Sequence, residues 1–372
     1  MFFHLILTDE CNLWCRYCRG RAFDSLPGAG GACAIDESLP SELSYDLGEL
    51  YSFLAQDPSA CITFYGGEPL IRADLVRKIM DHAPVSRFMV QTNGLLLDSV
   101  GQDYLNRMET ILVSLDGPET LTDQNRGTGT YRKVISQVQT LIRGGYRGEL
   151  IARMTVTDMT DIRSAVRYLA SNDDIPFPSI HWQLDADFST DPEMRNFSSW
   201  LTTSYNPGIR QLVRAWVGIM EREGRVPRWY PFLQTTEDLL QDRASPLRCG
   251  AGYANYTIMT DGHIGPCPAM IGMRDYYVGH IRTGNPLSLP TVRGSCSCEG
   301  CTISGFCGGR CLYADTLRPW PPEKRALICG AVRNLHDALT GALPGIRRLL
   351  RTGRIALEDF SHTRYNGCEI IP

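Results

Sequence analysis

Three cysteines near the start of the chain have the type and spacing to hold a metal centre. Cys11, Cys15 and Cys18 are separated by three and two residues and follow the apolar run at residues 2–7. Three thiolates on so short a loop can ligate three irons of a [4Fe-4S] cube and leave the fourth iron open for a reactive ligand. A zinc knuckle is the alternative, but tetrahedral structural zinc needs a fourth ligand. The nearest histidine, His4, lies inside the apolar run.

The loop, with the aromatic Tyr17 directly before its last cysteine, resembles the signature of the radical S-adenosylmethionine (radical SAM) enzymes. The resemblance implies that Cys11, Cys15 and Cys18 hold the catalytic [4Fe-4S] cluster, whose open iron binds SAM. In that family, reductive cleavage of SAM gives a 5′-deoxyadenosyl radical that takes a hydrogen from the substrate. The resemblance also implies an external one-electron reductant such as a ferredoxin or flavodoxin.

Composition places the chain among ordinary globular proteins. Of its 372 residues, 43% are hydrophobic and 21% charged, and its net charge is -4. This charge supplies no basic field, so we expect no nucleic-acid partner. The N-terminus has no positive segment and only a short apolar stretch, so it is neither a signal peptide nor a membrane span. We therefore expect a cytoplasmic protein without a membrane partner.

Short apolar runs alternate with helical patterns over residues 1–190, which predicts βα units and a parallel sheet. The predicted strands are residues 2–7, 62–65, 88–91, 111–115, 150–156 and 180–184. The predicted helices are about residues 41–55, 72–82, 99–108, 131–143 and 161–171. Six such units make a partial (β/α)6 TIM barrel, the α/β fold that the radical SAM resemblance implies. Function is expected at its C-terminal rim.

A Gly-Gly turn follows the second predicted strand, in the sequence Gly66-Gly67-Glu68-Pro69. Two glycines let the backbone approach a neighbour closely, and a carboxylate can accept hydrogen bonds from an ammonium group. The segment resembles the family's GGEP motif, which implies that Gly66, Gly67 and Glu68 bind the amino group of SAM. By itself, a Gly-Gly pair is usually just a turn.

Polar residues also follow the third and fourth predicted strands. The segments are Gln91 to Gly94 and Ser114 to Gly117, and both end in common turn dipeptides, Asn-Gly and Asp-Gly. The resemblance implies that Thr92 and Ser114 contact the SAM carboxylate and that Asn93 and Asp116 lie near its ribose.

Two arginines complete the predicted SAM site. Arg126, which is followed by Gly127, resembles an Arg-Gly pair at the barrel rim of related radical SAM enzymes. The alternative is an arginine exposed to solvent. Arg153 lies inside the fifth predicted strand, where a charge needs a partner, so we expect a carboxylate from SAM or from a protein acid such as Glu68. On the sixth strand, three polar residues share one face, either towards substrate or on the surface: His181, Gln183 and Asp185.

A second set of cysteines follows residue 248. The spacing Cys298-x2-Cys301-x5-Cys307-x3-Cys311, with Cys329 after seventeen more residues, resembles the SPASM extension of radical SAM peptide and protein maturases. In that family the extension binds two auxiliary [4Fe-4S] clusters with interleaved ligands. The resemblance assigns Cys298, Cys301, Cys307 and Cys329 to an outer cluster. It assigns Cys249, Cys267 and Cys311 to an inner one.

The inner cluster lacks one expected cysteine, because Cys249 is followed by Gly-Ala-Gly-Tyr-Ala-Asn-Tyr. Either Cys296 is the fourth ligand, or one iron is open to substrate. A double zinc ribbon is the alternative for the whole set. Pro268 stands where anaerobic sulfatase maturases carry a general-base Asp, which speaks against formylglycine formation by their scheme.

The predicted organisation is a radical SAM barrel at 1–190, a helical bridge at 191–248, a SPASM domain at 249–335 and a C-terminal helix and tail at 336–372. The chain is most similar to archaeal peptide-modifying radical SAM/SPASM members. We therefore expect an oxidoreductase that acts on a ribosomally made peptide or protein, forming a crosslink, dehydrogenating or epimerising. The alternatives are a formylglycine-forming dehydrogenase and a non-enzymatic electron carrier or peptide-binding scaffold.

Overall fold

The computed structural model describes residues 1–18, 35–185, 194–294, 298, 300–318 and 320–368, with only the backbone of residues 194 and 195. These residues form two compact units. The first unit comprises Met1–Leu115, Thr122–Ile151 and Gly250–Ser295. The second comprises Asp116–Leu121, Ala152–Cys249 and Cys296–Pro372.

The first unit is built on parallel strands. Its strands are β1 (Phe2–Ile6), β2 (Cys61–Tyr65), β3 (Arg87–Thr92), β4 (Thr110–Ser114), β8 (Asn255–Ile258), β9 (His263–Gly265) and β10 (Gly279–His280), while β5 (Glu149–Val156) begins here and continues into the second unit. They are ordered β10-β9-β8-β1-β2-β3-β4. Among the strand pairs described for this unit, only β8–β9 and β9–β10 are antiparallel. The parallel strands are nearly continuous buried apolar runs, as expected for strands covered on both faces.

Helices connect these strands, as the crossover of a parallel pair requires. They are α1 (Leu47–Leu54), α2 (Ala73–His82), α3 (Leu97–Val100), α4 (Gln102–Leu105), α5 (Glu119–Arg126, shared between the units) and α6 (Thr130–Arg143). Helix α1 begins after Asp46, whose carboxylate accepts a hydrogen bond from the N–H of Gly48 at 2.7 Å.

The second unit carries the remaining elements. The strands are β6 (Ser179–Leu184) and β7 (Arg228–Trp229), and β6 is hydrogen-bonded to both β5 and β7. The helices are α7 (Ile162–Ser171), α8 (Met194–Trp200), α9 (Asn206–Glu223), α10 (Tyr230–Leu240), α11 (Ser304–Cys307), α12 (Leu312–Leu317) and α13 (Pro322–Arg351). Its core contains Trp182 and Trp216, whose rings contact Phe232 edge-on with centroids 5.1 and 5.6 Å away.

The predicted α/β fold class is confirmed, because the described strands form a mostly parallel sheet. Each predicted strand lies within one residue of the observed ends. Two predicted helices are helical over only part of their predicted ranges. Residues 41–43 precede α1 in an extended segment, where the Leu43 N–H donates to the Leu7 carbonyl at 3.0 Å. The helix expected at 99–108 is interrupted at Gly101, whose φ is +90°.

The compact units cut across the predicted domains. Residues 255–258 of the predicted SPASM domain form β8, which pairs with β1 in parallel, Phe2 opposite Asn255. Helix α13 continues through the predicted boundary at 335/336. The compact units therefore have different boundaries from the predicted domains, and the predicted domain division stays a prediction. Among the described residues, no helix is both long and apolar enough to cross a membrane.

Candidate active site

The turn after β2 is hydrogen-bonded to the backbone segment that leads into the first cysteine loop. The N–H of Gly67 donates to the Thr8 carbonyl at 2.9 Å, and that of Glu68 donates to the Glu10 carbonyl at 2.7 Å. Gly66 has a φ of +150°, and a Cβ at Gly67 would overlap the carbonyl oxygens of Asp9 and Glu10. The glycines are therefore needed for contact with the backbone that leads into Cys11.

Glu68 is the buried acid of this turn. Its side chain is 1% exposed, and it accepts hydrogen bonds from the hydroxyl of Thr92 at 2.7 Å, the N–H of Asn93 at 2.7 Å and the N–H of Leu70 at 3.0 Å. Burial raises the pKa of Glu68 to about 7, although these hydrogen bonds act in the opposite direction. The structure thus brings together the predicted residues of β2 and β3.

Asn93 connects β3 to the cysteine loop. Its Nδ2 donates to Oδ1 of Asn12 at 2.7 Å and lies 4.0 Å from Sγ of Cys11. Sequence reasoning missed Asn12, although a polar side chain between two cysteines of one loop was a usable signal. Burial raises the pKa of the Cys11 thiol, and the charges of Glu68 and Cys18 raise it further.

Helix α5 also contacts the first cysteine loop. The N–H of Arg16 donates to the Asn125 carbonyl at 2.9 Å. The Arg126 guanidinium lies 5.3 Å from the centroid of the Tyr17 ring, a cation–π distance. Arg126 is buried, so its alternative as a solvated arginine is wrong. Ser114 is half-buried at the end of β4.

Two predicted SAM residues belong to the second unit. Asp116 is buried and accepts a hydrogen bond from the Thr155 N–H at 3.0 Å. Nη2 of Arg153 donates to Oε1 of Gln183 at 2.9 Å, so its described partner is an amide and not the expected protein acid. His181, on the same face of β6 as Gln183, is fully buried, so its alternative as a surface residue is wrong.

The second unit gathers four of the later cysteines. Cys307 ends α11 and Cys329 lies on α13, while Cys301 donates its N–H to the Cys298 carbonyl at 3.0 Å. Burial raises the pKa of the Cys307 thiol to about 11, and the nearby charges of Cys298 and Cys329 raise it further. Cys298 and Cys301 act on Cys329 in the same way. All four cysteines of the predicted outer set belong to this unit.

The inner set is distributed differently. Cys267 lies in the first unit, directly before a 3-10 helix at Pro268–Met270, whereas Cys249 and Cys311 lie in the second. Cys296 falls outside the described residues. Cys368, in the tail, is buried, and its N–H donates to Oδ1 of Asn366 at 3.1 Å.

The cysteine thiolates are soft ligands of the kind that bind iron-sulfur clusters, so the donor atoms of both cysteine sets fit such clusters. Among the residues that the structure describes, no three side chains of His, Cys, Asp or Glu are gathered closely enough to hold one metal ion. A cube binds each thiolate at a different iron, so its ligands are spread more widely than those of a single ion.

Comparison with known proteins agrees with this geometry. Residues 5–164 match the family described as "Radical SAM superfamily". Residues 5–164 form a radical SAM domain. The family implies SAM and one [4Fe-4S] cluster as its cofactors, with Cys11, Cys15 and Cys18 lying inside the matched region.

The radical SAM domain has curated relatives. "GTP 3',8-cyclase 3" of Mycobacterium bovis is 29% identical over 168 residues, 42% of each chain. The chain spans about two fifths of the length of the curated cyclases it matches. A protein of Archaeoglobus fulgidus named "Uncharacterized protein" is 23% identical over 335 residues, 83% of this chain and 74% of that protein.

Solved structures resemble the fold beyond the radical SAM domain. The structure described as "Native anSMEcpe with bound AdoMet" has a TM-score of 0.68 at 17% identity and covers 95% of this chain and 100% of its own. The structure "Native anSMEcpe with bound AdoMet and Cp18Cys peptide" has a TM-score of 0.66 at 16% identity and covers 94% and 99%. At these identities the likeness establishes the fold alone.

Proposed function

We propose that the protein is a radical SAM maturase that modifies a residue of a ribosomally made peptide or protein, similar to the archaeal peptide-modifying radical SAM/SPASM members. The product is a crosslink, a dehydrogenated residue or an epimer. The observation that carries the proposal is the combination of a radical SAM domain with a second set of cysteines in one compact unit, Cys298, Cys301, Cys307 and Cys329. The peptide is proposed because the structures of similar fold include one with AdoMet and a peptide bound.

When bound, SAM and its cluster would supply the radical chemistry that removes a hydrogen from the peptide. The chain's own part is to position these groups. The Gly66-Gly67 turn holds the backbone before Cys11, and Asn93 holds the side chain of Asn12. Glu68 offers the carboxylate that would accept hydrogen bonds from the SAM amino group. The other proposed SAM contacts are Thr92, Ser114, Asp116, Arg126 and Arg153.

The second cysteine set would hold two auxiliary [4Fe-4S] clusters. Cys298, Cys301, Cys307 and Cys329 would ligate the outer cluster, and Cys249, Cys267 and Cys311, with Cys296 or substrate, the inner one. When bound, these auxiliary clusters would accept an electron from the substrate or bind the substrate, and a ferredoxin or flavodoxin would reduce the first cluster. Metal ligands from distant parts of the sequence also stabilise the fold around them.

The test is production of 5′-deoxyadenosine from SAM with dithionite by anaerobically reconstituted protein. We expect Cys15→Ala to abolish the product and Cys301→Ala to leave part of it, because only the first cysteine belongs to the SAM-cleaving centre. Chromatography with mass detection measures both. Equal loss in the two variants would show that the division into catalytic and auxiliary sites is wrong.

A formylglycine-forming dehydrogenase is the second candidate, because the second cysteine set resembles the SPASM extension that anaerobic sulfatase maturases also carry. Pro268 after Cys267 speaks against it, because proline offers no side-chain base. Incubation with a Cys-containing sulfatase peptide separates the two candidates, since formylglycine in that peptide would favour the second. Mass spectrometry of peptides co-purified with the protein would identify the substrate of the first.

A further inference from the structure

A buried arginine lies between two cysteines of the second unit. Arg310 follows Cys307 and precedes Cys311, and it is 8% exposed. Its guanidinium lies 5.6 Å from the centroid of the Trp320 ring. Its buried Nε–H has no hydrogen-bond partner among the described residues. Since most buried polar groups have a partner, this donor requires an explanation.

The backbone at Arg310 is also unusual. Its φ is +61°, after two glycines whose φ angles are also positive, Gly308 and Gly309. For a residue with a side chain this conformation is unfavourable by about 1–2 kcal/mol. The Arg310 N–H donates to the Cys307 carbonyl at 3.3 Å, which closes a tight bend between the two cysteines. The bend therefore fixes the position of the Arg310 backbone, from which the side chain extends.

The backbone indicates what the guanidinium faces. Arg310 lies in the bend between Cys307, whose carbonyl accepts its N–H, and Cys311. Cys307 belongs to the outer cysteine set, and the other members, Cys298, Cys301 and Cys329, lie in the same unit. Four thiolates around a cluster carry negative charge, which a buried cation stabilises.

Another buried arginine of the same unit provides a contrast. Arg248 donates through Nε to the Phe306 carbonyl at 2.5 Å and through Nη1 to Asp238 at 2.8 Å. Its charge and its Nε–H are therefore already satisfied by the protein. Arg310 has no ion pair among the described residues, and its Nε–H remains available.

We propose that Arg310 sets the reduction potential of the outer auxiliary cluster, by donating its Nε–H to a sulfur of that cluster and by placing a positive charge beside it. This inference rests on the proposed function, which supplies the cluster. Hydrogen bonds to the sulfurs and net charge are known determinants of cluster potential. A cation stabilises the more negative, reduced form more than the oxidised form, so it raises the midpoint potential.

The test uses full-length protein in which Cys11, Cys15 and Cys18 are all replaced by Ala, so that the first cluster does not contribute. Arg310→Met, Arg310→Lys and the exposed control Arg351→Met are introduced into this background. Each protein is titrated anaerobically with redox mediators and followed by electron paramagnetic resonance. The outer signal is identified as the one lost in Cys301→Ala.

We expect Arg310→Met to lower the equilibrium constant for reduction about tenfold, which is about 59 mV for one electron. Arg310→Lys keeps the charge without the Nε–H and should fall between Arg310→Met and the parent, while Arg351→Met should match the parent. A purely structural role would change iron content without moving the midpoint.

The outcomes separate this inference from the proposed function. If Cys301→Ala leaves the iron content unchanged, there is no outer cluster, and both are overturned. If the cluster is present and the midpoints of Arg310→Met and Arg310→Lys equal that of the parent, only this inference is overturned. If Arg310→Met fails to retain iron, a parental midpoint in Arg310→Lys overturns it.

Discussion

At the scale of single residues, Glu68 is the group whose chemistry depends most on its surroundings. A carboxylate with 1% exposure and no cationic partner among the described residues is unfavourable, because burial penalises the charged form. Three hydrogen bonds from Leu70, Thr92 and Asn93 offset part of this penalty. A bound ammonium group would offset more of it, which is why this acid suits the SAM amino group.

We predict that Glu68 makes folding stability depend on pH. Its pKa is about 7 in the folded protein and near the ordinary 4.5 when unfolded, so between these values the folded form binds more protons. The free energy of unfolding should therefore fall as pH rises from 4.5 to 7, by at most about 3 kcal/mol from this group. Glu68→Gln should lack this contribution.

The measurement is urea unfolding of the metal-free protein at pH 5 and pH 8. The free energy of unfolding should decrease more from pH 5 to pH 8 in the wild type than in Glu68→Gln. The exposed Glu37→Gln serves as control and should behave like wild type. Identical pH dependence in all three proteins would contradict the raised pKa.

At the scale of elements, the turn after β2 determines where the first cysteine loop begins. Two backbone hydrogen bonds join it to residues 8 and 10, and there is no room for a side chain at Gly67. Iron binding by the first cysteine loop should therefore depend on Gly67, although glycine has no side chain that could bind iron.

We predict that Gly67→Ala loses the cluster of the first loop. The added methyl group would overlap carbonyl oxygens of Asp9 and Glu10, which can only be relieved by moving the segment before Cys11. Gly341→Ala in α13 is the matched control, because open space surrounds that position, and alanine should stabilise the helix by about 1 kcal/mol. Iron analysis and 5′-deoxyadenosine production measure the effect. Full iron content in Gly67→Ala would contradict it.

At the scale of the whole molecule, a buried network of ion pairs connects distant segments of the second unit. Arg248 links Asp238 of α10 to the Phe306 carbonyl of α11. Arg364 of the tail donates to the same carboxylate at 2.8 Å. Segments more than one hundred residues apart in sequence thus meet at one carboxylate, next to the segment that carries Cys307.

We predict that Arg248→Met destabilises the protein by about 3 kcal/mol, because removing one partner leaves a buried charge less well compensated. The exposed Arg225, paired with Glu223, gives a matched control that should change stability by less than about 1 kcal/mol. Urea unfolding of the metal-free protein measures both. Equal stability of Arg248→Met and Arg225→Met would show that the network contributes little.

The local sequence was sufficient for the strands and for most of the helices that connect them. Continuous apolar runs separated by turn residues identify buried parallel strands, which is why their ends agree within one residue. Gly101 was a weaker signal, because glycine interrupts a helix in some contexts and is tolerated in others. The segment at 41–43 has a helical pattern but is held by backbone hydrogen bonds to the segment after β1.

By itself, the sequence determined the first cysteine loop, the motifs at the strand ends and the second cysteine set, because these depend on residue types at fixed spacings. Only the tertiary structure decided that Gln183 rather than an acid pairs with Arg153, that Arg126 lies over Tyr17 and that Arg310 is buried with an available donor. Such contacts join residues far apart in the chain or depend on backbone conformation. Burial and charge at those positions exist only once the chain has folded.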